Sequence, residues 1–221
     1  MTQPPGIVPI EVGRRLVLRW AGVLPLVIAA GACQLPGGGP PPRQFQLKAP
    51  REFPPELPTV EWELVIDPVQ ASASVDTNRI ARTIGGGTEV EYYAGVQWVD
   101  RAPAMVQVLL IEAFRNSGKI GAVAAPGAGL RGDFVLRTFL REFQAEQSAD
   151  EQFSVYVMAS VGLMQIPRRN VAGTTEIESL VPLDARGIEP IIAAFDQALG
   201  KVLRDIVVWT LTTGQAAHLT S

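Results

Sequence analysis

Residues 153–163 read FSVYVMASVGL, setting Phe153, Val155, Val157, Ala159, Val161 and Leu163 against Ser154, Tyr156, Met158, Ser160 and Gly162. A period of two over that length is the pattern of a strand with one face buried. The preceding stretch, Asp133 to Gln144, carries Phe134, Leu136, Phe139, Leu140 and Phe143, and the polar segment Glu146 to Glu151 joins the two, so an antiparallel pair is expected. Downstream, Ile166-Pro167-Arg168-Arg169-Asn170 reads as a turn with a solvated tip. It leads to a strand in which Ile177, Ser179 and Val181 alternate with glutamates.

Working back toward the amino terminus, Val60, Trp62, Leu64 and Ile66 alternate with Glu61, Glu63 and Asp67, which gives a strand with one wet face. Asn78 to Ile84, Gly85-Gly86-Gly87 and Glu89 to Tyr93 read as strand, turn and strand. Shorter strands are expected near Phe45-Gln46-Leu47 and at Ile120 to Ala124, the latter followed by a loop of Gly and small residues, Ala125 to Gly132. Two segments have helical spacing instead. In 102–117, Pro103 suits a first turn, Asn116 to Gly118 a stop, and Val106, Leu109, Leu110, Ala113 and Phe114 an inward stripe. In 188–209, Ile191, Phe195, Ala198, Leu199, Val202, Ile206 and Trp209 recur opposite Asp196, Lys201, Arg204 and Asp205. The expectation is one α/β domain over 44–210, a mixed, largely antiparallel sheet packed by two main helices, with 211–221 as a frayed tail.

The amino-terminal region follows a different logic. Arg14, Arg15 and Arg19 precede an uncharged stretch of 13 residues, Trp20 to Ala32, which closes with Ala30-Gly31-Ala32 before the lone cysteine, Cys33. About 20 apolar residues are needed to span a bilayer, so a cleaved signal peptide over 1–32 fits better than a retained helix. Small residues directly before a cysteine resemble the lipobox of bacterial lipoproteins, with Ala30 where leucine is commonest, and Cys33 is the expected lipidation site. Residues 33–43, with Gly37-Gly38-Gly39 and Pro40-Pro41-Pro42, offer little to bury and read as a tether. Ten such residues reach at most about 33 Å.

Loss of residues 1–32, with three arginines and one glutamate, would move the formal net charge from −3 to −5. An acidic domain without a basic stripe is a poor partner for nucleic acid, whose binding rests on neutralised phosphates. The lone histidine, His218, lies near the carboxyl end, so no serine–histidine, cysteine–histidine or multi-histidine constellation can be assembled. The triple glycine is not followed by the lysine and hydroxyl residue of a phosphate loop, and the pairs Glu61/Glu63 and Glu89/Glu91 read as solvated strand faces. The sequence therefore proposes no catalytic residue, no metal site and no cofactor.

The order of landmarks resembles the auxiliary lipoproteins of bacterial ABC-type transport systems, a group that includes the lipoproteins of paraquat-inducible operons. The residues carrying the resemblance are Cys33, Phe45-Gln46-Leu47, Arg79-Ile80-Ala81, Tyr92-Tyr93, Gln97-Trp98 and Pro103. Asp133-Phe134-Val135-Leu136 with Phe143, and Ala194-Phe195 with Ala198-Leu199 and Trp209, continue the series. The resemblance implies a non-catalytic lipoprotein held to the membrane by its acyl chains. It would work beside an ABC permease and ATPase and a periplasmic substrate-binding protein of the mammalian-cell-entry type, moving phospholipid or other apolar solutes. Gln34, where enteric bacteria use Asp to retain lipoproteins at the inner membrane, implies the periplasmic side of the outer membrane. Arg79 and Trp98 are the expected partner surface, and homo-oligomerisation stays open, as do a free-standing lipid binder and a structural envelope protein.

Overall fold

The 153–163 alternation becomes β8 (Phe153–Gln165), the middle of three long antiparallel strands, between β7 (Phe134–Gln147) and β9 (Asn170–Leu183). The computed structural model describes residues 40–84, 89–148, 152–166, 170–183 and 187–220; Cys33, the glycine turn at 85–87 and the Arg168-Arg169 tip lie outside them.

The other edge of β7 is shared by three shorter parallel strands in succession. β2 (Val60–Ile66) pairs Leu64 with Phe134, β3 (Gln70–Ala71) pairs Gln70 with Phe139, and β4 (Arg79–Ile84) pairs Ala81 with Gln144. β6 (Ile120–Ala124) extends the sheet from β2 in parallel. β5 (Glu89–Trp98) runs antiparallel to β4, and β1 (Arg43–Phe45) runs parallel to β5. Among the described residues this makes one open nine-stranded mixed sheet in a single α/β domain. Its long ladders are antiparallel, whereas the parallel pairings are short and depend on crossover connections such as the helix after β5.

That helix, α1 (Ala102–Ser117), has the bounds its spacing predicts: Pro103 lies in the first turn, and Gly118 closes the end in the left-handed conformation with φ 61°. β1, by contrast, ends at Phe45, two residues before its expected limit, because its pairing stops where Phe45 meets Trp98. Beyond it Leu47 is buried without being in a strand, and the Lys48 amide donates to the Asp196 carboxylate at 2.8 Å.

The expected frayed tail is corrected. α2 runs from Ile188 to Leu219, 32 residues, so the ordered domain passes the boundary at 210. Three threonines and a glycine in 210–214 weaken local helix propensity, but tertiary burial overrides it. Leu211 is fully buried, and Gly214 lies so close to Trp62 that a β-carbon there would stand 2.6 Å from its ring. Near the other end of the helix, Phe195 packs on Trp98 and Phe143, with ring centroids 5.1 and 5.0 Å away. Since Trp62 meets Phe134 at 4.8 Å, α2 lies antiparallel to β7 and covers its inner face from Phe143 back to Phe134.

Candidate functional site: the open face of the sheet

α2 closes one face of β7–β8–β9 over Val155, Val157, Ala159, Val161 and Leu163, all buried. The opposite face carries Tyr156, Met158, Ser160 and Gly162 on β8, and Lys201 of α2 lines a hollow with Tyr156 and Glu178. β7 reaches this face through a bulge. Leu140 pairs with Ala159 and Glu142 with Met158, leaving Arg141 as an extra residue. The insertion lets Leu140 and Phe143, three apart, both turn inward, and it sends Glu142, Gln144 and Glu146 outward. A strict period of two would have put Phe143 on the wet side.

The outward groups form a polar network. Gln144 is only 6% exposed; its side-chain amide donates to Glu142 at 2.6 Å and to Glu146 at 3.3 Å, and its carbonyl oxygen accepts from the Phe143 amide at 3.0 Å. The Tyr156 hydroxyl donates to Glu178 on β9. Ser160 donates to Glu176 at 3.0 Å, and Arg141 pairs with the same carboxylate at 3.3 Å. The hydrogen bond to Glu178 is the main cause that pushes the Tyr156 phenol up to about 12, helped by desolvation and by the charges of Glu178, Glu142 and Glu146. Because the folded value exceeds the ordinary one near 10, this contribution to stability is intact below pH 10 and fades as pH climbs toward 12. The phenolate absorbance lost in a Tyr156→Phe variant should therefore titrate near pH 12. Glu178→Gln should bring it back toward 10, and a midpoint already near 10 would contradict the network.

Of the two expected partner-surface residues, Arg79 is exposed and stacks its guanidinium over Tyr92, 3.9 Å from the ring centroid. Trp98 is corrected: at 1% exposure it belongs to the core, held between Phe143 and Phe195. The chain end of β5 turns it inward beside Phe45, so it cannot meet a partner directly. Glu63 and Asp133 also do more than face solvent. The Asp133 carboxylate accepts from the Glu63 amide at 2.8 Å, and the Glu63 carboxylate accepts from the Gly132 amide at 3.3 Å, fixing the end of the glycine-rich loop to β2.

On the helical side, an open cleft of about 1040 Å³ runs along α2, walled by Lys48, Arg51, Glu112, Asp196, Lys201 and Arg204 among others. Among the described residues no cluster of three or more His, Cys, Asp or Glu is arranged to hold a metal ion, and no helix is long and apolar enough to cross a membrane.

A mixed sheet packed by helices on one side, with a carboxylate-rich face on the other, defines the class as an α/β domain. The chain belongs to the ABC-type transport auxiliary lipoprotein component family, whose model matches residues 45–207. That family is described as lipoprotein components auxiliary to ABC-type transport. A crystal structure of a Xanthomonas campestris protein superposes with a TM-score of 0.73 at 27% identity, covering 80% of this chain and 99% of that one. A Chlamydia trachomatis hypothetical protein shares the fold at TM-score 0.52 and 10% identity, over 70% of this chain and 99% of its own. An uncharacterized protein of Bradyrhizobium diazoefficiens is 25% identical over 188 residues, which are 83% of this chain and 49% of that protein. The chain thus spans about half the length of that curated relative.

Proposed function

We propose that the chain is a lipid-anchored, non-catalytic subunit of an ABC-type, mammalian-cell-entry-associated transport system. It assists the movement of phospholipid or another apolar solute across the envelope from the periplasmic side, at the outer membrane. The observation that carries this reading is the family match over 45–207, following a lipidation-type cysteine by a short Gly/Pro tether. A tether of ten residues keeps the domain within about 33 Å of its anchor and raises its effective concentration at a partner that approaches that membrane. The partners are a periplasmic mammalian-cell-entry-type protein directly and the permease and ATPase through it. Arg79, stacked on Tyr92, is one contact for them.

A free-standing carrier would need an enclosed apolar chamber. Between α2 and the sheet that volume is occupied by Trp98, Phe143 and Phe195 in mutual ring contact, which favours docking over cargo binding. The anchor is tested by Cys33→Ser: labelled palmitate should no longer be incorporated and the protein should leave the membrane fraction, since each buried methylene contributes about 0.8 kcal/mol. Unchanged labelling and unchanged sedimentation with membranes would overturn it.

A further inference from the structure

We infer that a hollow on the open face of the sheet receives a lysine or arginine side chain from a protein partner docked there. The hollow, about 350 Å³, lies among β4, β7 and β8 and is lined by Thr83, Glu142, Gln144, Glu146 and Tyr156. Gln144 turns its amide protons onto Glu142 and Glu146, so the two carboxylates are held in place by a neutral donor. Among the described residues neither of them, nor neighbouring Glu178, forms an ion pair. Arg141 also lines the hollow, but its guanidinium is engaged by Glu176 and Ser160.

Thr83 supplies an independent observation. The β4–β7 register places it beside Glu146 on the same face, it is 6% exposed, and its hydroxyl has no hydrogen-bond partner. A buried hydroxyl left unpaired loses its hydration without compensation, and a donor entering the hollow would satisfy it. A protonated amine or guanidinium carries several N–H donors, enough for this oxygen and the carboxylates together. The rim decides between a small cation and a polypeptide. Val90, 44% exposed, borders this hollow, and Leu180, 59% exposed, borders the adjoining one with Glu146, Tyr156, Glu178 and Lys201, whose amine is held by Asp205 at 2.7 Å. A bare ion would leave that apolar surface wet, whereas a basic side chain flanked by apolar neighbours on a partner chain would cover it.

The test places a photo-crosslinking amino acid at Leu180 of the full chain in intact cells and maps the adduct by mass spectrometry. The expected product joins a different polypeptide at a segment bearing lysine or arginine, and Glu142→Gln with Glu146→Gln lowers its yield about tenfold or more. Glu61→Gln with Glu112→Gln, away from the hollow, should leave the yield unchanged. Thr83→Val, nearly isosteric, should lower it severalfold with unaltered circular dichroism. Adducts only to lipid, only to a second copy of this chain, or none at all would overturn the inference, as would a yield indifferent to the double glutamine variant. The captured chain need not be a transporter subunit, so failure here is separable from failure of the proposed function.

Discussion

Phe195→Ala should lower the unfolding free energy by about 3–5 kcal/mol, the range for truncating a fully buried aromatic side chain. Phe195 has no solvent exposure and is the helix's contribution to a three-ring cluster whose other members come from β5 and β7. It meets Trp98 edge-on at 5.1 Å with the planes at 81°, the geometry in which ring quadrupoles attract. Deletion leaves a cavity between a helix and two strands that are far apart in sequence, and neither side can collapse without moving the other. Phe195→Leu, which keeps most of the volume, should cost less than half as much. Urea denaturation followed by tryptophan fluorescence reads both, and a loss below about 1 kcal/mol for the alanine variant would mean the cluster is not packed as described.

Ending the chain after Thr210 should cost about 3 kcal/mol or more, measured the same way. The deletion removes Leu211, whose burial alone falls in the range of about 2–5 kcal/mol for such residues, and uncovers Trp62, which lies against Gly214 and packs on Phe134. A smaller change probes the same contact. Gly214→Ala would bring a methyl group to 2.6 Å from Trp62 Cζ2, so overpacking of about 1–3 kcal/mol opposes the gain of about 1 kcal/mol in helix propensity. If the truncated chain were as stable as the intact one, residues 211–219 would be the frayed tail that their composition suggests.

That contrast shows what the residues disclose by themselves. Val60–Ile66, Ala102–Ser117 and Ile120–Ala124 fall where period and caps put them, because each is decided by its own stripe and its own stop signals. The last turns of α2 are decided by Trp62, some 150 residues earlier in the chain, and no local pattern reports that. The sharing of one edge of β7 among β2, β3 and β4 is equally non-local, since strand partners follow from crossovers rather than from alternation. Trp98 shows the reverse difficulty: an aromatic landmark near the end of a strand reads the same whether it faces a partner or the core. The carboxylates of the open face were visible as charges, but their convergence depends on the bulge at Arg141, whose only trace is the three-residue spacing of Leu140 and Phe143. Cys33 stands apart, because the small residues before it and the tether after it are local features that need no fold to be read.

Affinity isolation of the full chain from solubilised membranes, followed by identification of its companions, bears on whether the domain serves a transporter. An ABC permease, its ATPase and a mammalian-cell-entry-type protein should be recovered together with the tagged chain, in amounts that fall sharply for Cys33→Ser. Recovery of the chain without any of these three proteins, under conditions that keep the permease and ATPase associated with each other, would contradict its role as their auxiliary subunit.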